Sequence, residues 1–374
     1  MLQGELSNKE RIRYLRHLLM PQVGTQGQLR LKHANILIIG AGGLGGVVAS
    51  YLAAAGVGRL TLVDGDHVDA TNLSRQLIHS SAGTQTPAPL KVDSARERIK
   101  TINPYTTLTT HSDFFTAKTA AELLPECDLI CDCTDNFKSR YLINDAAIKY
   151  KKSIVFASLY HFEGQLSVWN HENSGGCLRC AYPIDGEIKE RASCQESGVL
   201  GVTPAILGTM QAQEVIKIVL GIGKIAAGQI ISYDGLNHTI DQFMVPINPN
   251  CICQRPDEVN LDHYSQAPMP FQQDPLSINI LEILAQTPAP HIIDLRSYEE
   301  MVELPDQLEE CATLLPMEKE SVEEFITNNP HSPYYLLCQQ GVDSLVLARE
   351  LVQKGWSDIF SINGGVSKIY LDLP

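Results

Sequence analysis

The chain has 374 residues, of which 44% are hydrophobic and 19% are charged, and its formal net charge is −14. This length is sufficient for two domains with separate cores, and the composition is that of an ordinary globular protein. The acidic excess excludes nucleic acid as a general partner, because the phosphate backbone would be repelled.

The N-terminal segment MLQGELSNKERIRYLRHLLM carries charges throughout and contains no continuous apolar run. It lacks the pattern of a secretory signal, so we expect a cytoplasmic protein. Residues 34–58 are uncharged and long enough for a membrane span, but five of the seven residues at 40–46 are glycine and would break a spanning helix. We therefore expect no membrane partner, and the ten cysteines are not expected to form a disulfide framework.

A strand, a glycine-rich turn, a helix and a second strand are predicted from residues 36–64, ILIIGAGGLGGVVASYLAAAGVGRLTLVD. Gly40, Gly42 and Gly45 fit the pattern G-x-G-x-x-G, which lets the amides of a helix N-terminus approach a phosphate. Asp64 ends the second strand, where a carboxylate can accept the hydroxyl groups of a ribose. The segment therefore predicts a nucleotide-binding site.

Polar residues follow the predicted strands where each of them ends. Asn72 and Arg75 come after the second strand, and Lys91 opens a helix shortly afterwards. Asp135 and Asn136 follow the strand DLICD, at the edge where ligands gather in an open parallel sheet. An acid opposite two cations suits Mg²⁺-assisted attack on a phosphate, because the cations neutralise charge on the phosphoryl oxygens. For any one of these residues alone, a solvated surface charge or a helix cap is the favoured interpretation, but together, at successive strand ends, they favour a triphosphate site.

Strand-like and helix-like patterns alternate from about residue 35 to residue 245, which predicts a doubly wound, mostly parallel Rossmann-like α/β sheet. The predicted strands are ILII, LTLV, LTTH, DLICDC, SIVFAS and QLSVW. A linker composition then gives way to a second, smaller α/β domain with strands HIIDLR, YYLLC and DIFSI and helices near residues 278–285 and 344–354. The predicted domains are residues 1–253 and 276–374, joined by a linker at 254–275.

Several motifs occur in a fixed order over residues 6–255: RYLRHLLMPQVGTQGQLRLKHANILIIGAGGLGG, NLSRQ, CTDN, the pair Cys177-x-x-Cys180, and SCQESGV. In these motifs the chain resembles the ubiquitin-activating superfamily, and most closely its bacterial molybdopterin-synthase and thiamine-biosynthesis adenylyltransferases. The resemblance implies ATP-dependent adenylation of the C-terminal Gly-Gly carboxylate of a small ubiquitin-like sulfur-carrier protein, with release of pyrophosphate. It also implies Mg²⁺, a homodimer, and a cysteine desulfurase or another sulfur donor as a further partner.

The resemblance assigns roles residue by residue. Arg16 matches the arginine that reaches the active site of the neighbouring protomer, and Asp135 matches the Mg²⁺ ligand. Lys91 departs from the family pattern, because Pro89 and Leu90 precede it where the family has a proline directly before the lysine. The residues expected to bind the nucleotide are Gly40, Gly42, Gly43, Asp64, Thr71, Asn72, Leu73, Ser74, Arg75, Lys91, Asp135 and Asn136. The residues expected to be catalytic are Arg16, Arg75, Lys91, Asp135, Cys194 and Cys338.

Cys177 and Cys180 have the spacing of half a tetrahedral zinc site. The family completes this site with a second C-x-x-C pair, but here that place reads Cys251-Ile-Cys253, one residue short. Side chains two apart on an extended stretch point to opposite faces, so Zn²⁺ binding requires a sharper bend. The alternative is an eroded site of buried thiols. Cys194 matches a cysteine that in some members forms a covalent link with the carrier, but no base or cation lies beside it in the sequence.

The C-terminal region resembles a rhodanese domain in HIIDLRSYEE, YYLLCQQGVDS and FSINGGV. The loop from Cys338 to Ser344 has the length needed to surround a cysteine persulfide with backbone amides. The usual loop has arginines where this chain has Gln339 and Asp343, and this loss of cations disfavours a thiolate. The sequence therefore favours a weak or docking-only module over an active sulfurtransferase.

Two other functions are compatible with parts of the sequence. An NAD-dependent oxidoreductase would share the glycine turn and Asp64, but it gives no reason for Arg75, Lys91 and Asp135 together. A non-catalytic scaffold that holds the carrier and the sulfur donor would need none of these residues for chemistry.

Overall fold

The computed structural model describes residues 5–81, 87–172, 175–184, 198–264, 274–285, 290–297, 304, 308, 311–315, 319–329, 333–339, 341 and 343–372. The chain divides into two compact units, Met1–Gln266 and Ala267–Pro374. Among the helices in the described ranges, none combines the length and the apolar character needed to cross a bilayer.

The first unit is built on an eight-stranded sheet with the strand order β3-β2-β1-β4-β5-β6-β7-β8. The strands are β1 Asn35–Ile39, β2 Arg59–Val63, β3 Thr107–His111, β4 Leu129–Asp132, β5 Ser153–Tyr160, β6 Glu163–Trp169, β7 Gln229–Asp234 and β8 Thr239–Met244. Pairing is parallel from β3 through to β5 and antiparallel from β5 through to β8. The predicted doubly wound, mostly parallel α/β fold is therefore confirmed, together with its six predicted strands.

The sequence-based prediction does not include β7 and β8, the last two strands of this sheet. All residues of β8 are exposed and those of β7 are only partly buried, so neither strand shows the apolar alternation that marks a half-buried strand. By contrast, β1 reads as a continuous apolar run because both of its faces are covered. Ile36 and Ile38 enter one core cluster, whereas Leu37 and Ile39 enter the other.

Nine helices of the first unit lie in its described residues. They are α1 Asn8–Arg13, α2 Leu15–Leu18, α3 Gly24–His33, α4 Gly43–Ala55, α5 Lys91–Ile102, α6 Ala117–Leu123, α7 Phe137–Tyr150, α8 Leu178–Ala181 and α9 Val202–Leu220. The chain passes from β1 outward to β3 and then returns to β4 on the other side of β1. This reversal opens a crevice beyond the carboxyl ends of β1 and β4, where ligands bind in sheets of this kind.

The predicted linker begins inside the first unit. Three short 3₁₀ turns, at residues 252–254, 256–258 and 262–264, follow one another here. Val259, Leu261 and Tyr264 are buried in the core. The Tyr264 hydroxyl donates to Asp145 on α7 at 2.8 Å, and Arg179 on α8 binds the same carboxylate at 2.7 Å. The segment is rich in polar residues and proline, so its composition did not indicate that these three apolar side chains are buried. The domain assignment itself stays a prediction, and residues 265–273 lie outside the described ranges.

The second unit is built on a fully parallel sheet with the order β11-β10-β12-β13-β9. Its strands are β9 Ser277–Ile278, β10 His291–Asp294, β11 Ala312–Leu314, β12 Tyr334–Leu337 and β13 Ile359–Ile362. Its described helices are α10 Ile280–Leu284, α11 Lys319–Asn328, α12 Asp343–Gln353 and α13 Gly365–Asp372. The second α/β unit and its predicted strands and helices are confirmed, whereas β9, β11, α11 and α13 are additions.

Candidate active site

The glycine turn joins β1 to α4 at the base of the crevice. Gly40 has a φ of +99°, and a Cβ atom there would lie 2.7 Å from the carbonyl oxygen of Cys133. At Gly45 a Cβ atom would lie 1.8 Å from the carbonyl oxygen of Gly40, so a side chain is excluded. Gly42 precedes α4 without any side-chain cap, and Gly42 and Gly43 line the crevice. The first amides of α4 are thus available to a negatively charged ligand.

Ala41, within the turn, is held from two sides. Its N–H donates to Asp64 Oδ2 at 2.7 Å, and its carbonyl oxygen lies 3.0 Å from His79 Nε2. Asp64 also accepts the N–H of Asp66 at 2.8 Å. Burial raises the pKa of Asp64, although the charge of Lys91 partly offsets this effect. Burial also lowers the pKa of His79, which favours a neutral ring with one N–H for Ala41. These contacts fix the turn before a ligand arrives.

Lys91 reaches the crevice although the loop before it departs from the family pattern. A bridge between His67 and Leu90 holds this loop against the segment after β2, and Lys91 begins α5 directly afterwards. Lys91 Nζ lies 2.8 Å from Asp66 Oδ2, and the lysine side chain is only 7% exposed. Burial lowers the pKa of Lys91, but the charges of Asp64 and Asp66 outweigh burial, and the pKa is raised. The side chain is therefore a buried, fully charged cation.

Arg75 follows the 3₁₀ turn Ala70–Asn72 and is half-buried in the crevice wall. Its guanidinium donates to Asn72 Oδ1 and to the carbonyl oxygen of Thr71. Burial lowers the pKa of Arg75, and the opposing charges of Asp135 and Asp69 limit this decrease. Asn72 thus orients Arg75 and is not itself part of the crevice wall.

Asp135 and Asn136 follow β4 on the opposite side of the glycine turn. The charge of Asp135 acts on both Arg75 and Lys91, so the three groups form one electrostatic cluster. Asn136 begins α7 and accepts the N–H of Ser139 at 2.8 Å, which occupies its side-chain oxygen as a helix cap. The predicted acid and cations therefore meet at one end of the sheet.

These elements enclose an open cleft. The predicted residues that line it are Gly40, Gly42, Gly43, Asp64, Arg75, Lys91, Asp135 and Asn136. The predicted residues that do not line it within one chain are Arg16, Thr71, Asn72, Leu73 and Ser74. Thr71 instead donates to Asp69, and Thr71 and Ser74 are exposed.

Arg140 and Gln76 are polar residues of the cleft wall that the sequence motifs did not indicate. Arg140 lies one helical turn after Asn136, donates to the carbonyl oxygen of Thr134 at 3.0 Å, and lies 5.3 Å from the ring centre of Phe156. Gln76 directly follows Arg75, and its side-chain oxygen is buried without a hydrogen-bond partner among the described residues. Arg140 lies one helical turn from Asn136, and Gln76 lies next to Arg75. This closeness in sequence to predicted site residues was the signal that could have identified them.

Arg16 lies on α2, on a surface of the first unit that exposes large apolar side chains. Ile12, Leu15 and Leu19 are 77%, 50% and 65% exposed, and Arg16 itself is exposed. Apolar side chains that cluster on a surface in this way are typical of protein interfaces.

The four cysteines of the predicted zinc site converge in the first unit, with all four sulfur atoms within 4.8 Å of one another. The sulfur of Cys177 lies 3.9 Å from that of Cys180 and 3.6 Å from that of Cys251, and Cys180 and Cys253 are 3.7 Å apart. A tetrahedral Zn²⁺ ion with Zn–S bonds of about 2.3 Å requires sulfur separations of about 3.8 Å. The sharper bend that Zn²⁺ binding requires between Cys251 and Cys253 is present, because Ile252–Gln254 forms a 3₁₀ turn.

Cys338 lies at the carboxyl end of β12 in the second unit and is buried. Its sulfur accepts the N–H groups of Gly341 at 3.1 Å and Ser344 at 3.4 Å. The inward-pointing amides expected from the loop length are therefore present. Cys194 lies outside the described residues.

Comparisons with known proteins agree with this architecture. A sequence model described as the ThiF family matches residues 14–254. The Thermus thermophilus protein named sulfur carrier protein adenylyltransferase is 40% identical over 249 residues, which are 66% of this chain and 91% of the relative. The Aedes aegypti protein named adenylyltransferase and sulfurtransferase MOCS3 is 33% identical over 368 residues, which are 94% of this chain and 83% of the relative. A crystal structure of E. coli MccB with ATP has the same fold, with a TM-score of 0.54 at 18% identity over 67% of this chain and 83% of MccB.

Proposed function

The chain belongs to the ThiF family, and we propose that it uses ATP to adenylate the C-terminal Gly-Gly carboxylate of a small ubiquitin-like sulfur-carrier protein. Pyrophosphate is released, and the activated carrier serves sulfur transfer in molybdopterin or thiamine biosynthesis. The names of both sequence relatives confirm the enzyme class predicted from the sequence, and they support a sulfur carrier as the partner.

The observation that carries this proposal is the cluster of Arg75, Lys91 and Asp135 beside the glycine turn. In the reaction a carboxylate oxygen of the carrier attacks the α-phosphorus, and the bond to the pyrophosphate oxygen breaks. The carboxylate is already ionised, so no general base is needed. Arg75 and Lys91 neutralise charge on the phosphoryl oxygens and on the leaving pyrophosphate, which stabilises the transition state. An oxidoreductase would have no use for this cluster.

The remaining residues of the cleft fit the other parts of ATP. The free amides at the start of α4 suit a phosphate group. Asp64 is fixed by the N–H groups of Ala41 and Asp66, and its remaining lone pairs suit the ribose hydroxyl groups. Gln76 presents a buried side-chain oxygen whose missing partner a ligand would supply.

The cleft also fits Mg²⁺, because Asp135 lies on the wall where the phosphates of ATP would bind. Mg²⁺ in nucleotide sites binds one or two carboxylates together with substrate phosphates and water, and Asp135 is the carboxylate on the β4 side of the cleft. When bound, the ion supplies further neutralisation of phosphate charge. Asn136 is less suited to hold it, because its side-chain oxygen caps α7.

The active enzyme is a homodimer in this proposal. Arg16 is exposed and lies outside the cleft of its own chain, and the apolar side chains of Ile12, Leu15 and Leu19 surround it in sequence. A second copy that covers this surface would bury the apolar side chains and bring the partner's arginine to the cleft. The four-cysteine cluster would hold a structural Zn²⁺ ion that joins α8 to the turn at residues 252–254.

A second function, sulfur carriage on Cys338, is favoured by the two amides directed at its sulfur. A cysteine desulfurase or another donor would present a persulfide. The Cys338 thiolate attacks its outer sulfur, the S–S bond breaks, and the donor thiolate leaves, so that Cys338 becomes the persulfide. The relative that matches over 94% of the chain has sulfurtransferase in its name, which supports this step.

ATP–pyrophosphate exchange tests the main proposal. The full chain is incubated with ATP, Mg²⁺, labelled pyrophosphate and a candidate carrier, either intact or lacking its last two glycines. We expect exchange with the intact carrier alone. Exchange with neither form, together with hydride transfer to NAD⁺, would favour the oxidoreductase. If the Asp135→Asn variant still supports sulfur transfer in cells, the result would favour a non-catalytic scaffold.

A further inference from the structure

A chain of buried hydroxyl groups leads away from the Cys338 sulfur. The sulfur lies 3.2 Å from Ser344 Oγ, which in turn lies 2.8 Å from Ser361 Oγ. The Ser361 hydroxyl reaches the carbonyl oxygen of Gly341 at 3.4 Å. Both serines are fully buried, and Ser361 stands on β13, which pairs with β12 next to the cysteine. The row of polar groups thus begins at the sulfur and ends at a fixed backbone acceptor.

The direction of these hydrogen bonds depends on whether the sulfur carries a proton. With a thiol, S–H donates to Ser344, Ser344 donates to Ser361, and Ser361 donates to Gly341. With a thiolate, Ser344 turns to donate to the sulfur, and Ser361 turns to donate to Ser344. Only the long bond to Gly341 is given up. The same groups therefore serve both states of the sulfur.

Neutral donors matter here because the loop lacks the arginines of the usual rhodanese pattern. Gln339 and Asp343 occupy those positions. The titratable and charged side chains on the described elements around the loop include His291 and Asp294 on β10, Asp343, Arg349 and Glu350 on α12, and Lys368 on α13. Arg296 lies two residues after β10. Asp294 and Arg296 bind each other at 2.7 Å. Among the described residues, the groups in hydrogen bonds to the sulfur are two amides and one hydroxyl.

We propose that Ser361 is a positioning residue for Cys338, because its hydroxyl turns to hold Ser344 as a donor to the sulfur anion. The role of this arrangement in function rests on the proposed sulfur transfer. The hydrogen-bond arrangement itself can be tested separately, because the reactivity of Cys338 is measured without a sulfur donor or a carrier.

The test is alkylation of the full chain by iodoacetamide between pH 6 and pH 10, with the extent at Cys338 read by peptide mass spectrometry. The thiolate is the reactive form. Loss of a hydrogen bond to a charged group predicts that Ser344→Ala slows the reaction at pH 7 about tenfold and moves its pH midpoint up by about one unit. Ser361→Ala, one bond further away, is expected to slow it about threefold with a midpoint shift of about half a unit.

Three controls separate positioning from packing. Ser361→Thr keeps the hydroxyl and should retain the wild-type midpoint, and Thr327→Ala on α11 removes an unrelated hydroxyl and should change nothing. In a Ser344→Ala background, Ser361→Ala should have no further effect. A slower reaction without a midpoint shift, or an undiminished effect in that background, would overturn the proposal. Persulfide transfer is assayed separately, so its absence would reject sulfur carriage and leave this result intact.

Discussion

The nucleotide cleft of the first unit and the Cys338 loop of the second unit occupy equivalent places beside parallel strands of their sheets. Each lies beyond the carboxyl end of a buried strand and beside the start of a helix. The side chains that line the cleft include three cations, Arg75, Lys91 and Arg140, and three acids, Asp64, Asp66 and Asp135. By contrast, the described groups that hydrogen-bond to the Cys338 sulfur are two amides and a hydroxyl.

The difference follows from the charge that each site is expected to meet. A triphosphate carries several negative charges, and dipoles at one helix end are too weak to balance them. A single sulfur anion is balanced by a few oriented N–H and O–H groups. The second unit can therefore lack the arginines at positions 339 and 343 and still stabilise a thiolate, provided that its hydrogen bonds are intact.

The largest effect is expected for a loss of charge in the cleft. Arg75→Ala should lower ATP–pyrophosphate exchange about 100-fold or more, because removal of one preorganised group at a developing charge costs this much in comparable sites. Arg96→Ala is the matched control, since Arg96 lies on α5 outside the cleft and pairs with Asp93. Equal losses in the two variants would show that the effect is general and not specific to the site.

Removal of Zn²⁺ from the four-cysteine cluster should lower the stability of the first unit without a direct change at the nucleotide cleft or at Cys338. Cys180→Ser, or dialysis against a chelator, should release one equivalent of zinc and lower the melting temperature of the first unit by roughly 8 °C. Cys311→Ser is the control, because Cys311 is a free cysteine of the second unit. A metal-free preparation with the same melting temperature as the wild type would contradict the zinc assignment.

The smallest effect concerns the pH dependence of stability. The pKa of Lys91 is raised in the folded chain, so its charge contributes stability that is fully present below about pH 10.4 and is lost as the pH rises through the folded pKa. The difference in unfolding free energy between wild type and Lys91→Met should therefore shrink above pH 10. If the difference in unfolding free energy stayed constant from pH 8 to pH 11, the Lys91 side chain would contribute to stability through packing alone. Urea unfolding at each pH provides the measurement.

Much of the first unit was predictable because its signals are local. Buried parallel strands read as continuous apolar runs, and the glycine turn needs small residues at positions that clash with Cys133 and Gly40. The exposed strands β7 and β8 have no such pattern. The sequence showed that Zn²⁺ binding needs a bend between Cys251 and Cys253, but spacing alone could not establish the 3₁₀ turn that supplies it.

The roles of single polar residues were harder to predict than their location. Asn72 and Asn136 are predicted to bind the ligand, and within the chain their side-chain oxygens accept hydrogen bonds from Arg75 and Ser139. Arg140 and Gln76 also line the cleft, and their closeness in sequence to Asn136 and Arg75 was the one signal that pointed to them. Both hydrogen bonds join residues three positions apart, and sequence spacing alone does not show whether such a side chain faces a ligand or a neighbouring group of its own loop.

The most direct test of the account is titration calorimetry of the full chain with ATP and Mg²⁺, beside an identical titration with NAD⁺. We expect ATP to bind, Arg75→Ala to weaken this binding by about tenfold or more, and NAD⁺ to give no heat of binding. Tight binding of NAD⁺ with no uptake of ATP would contradict the account.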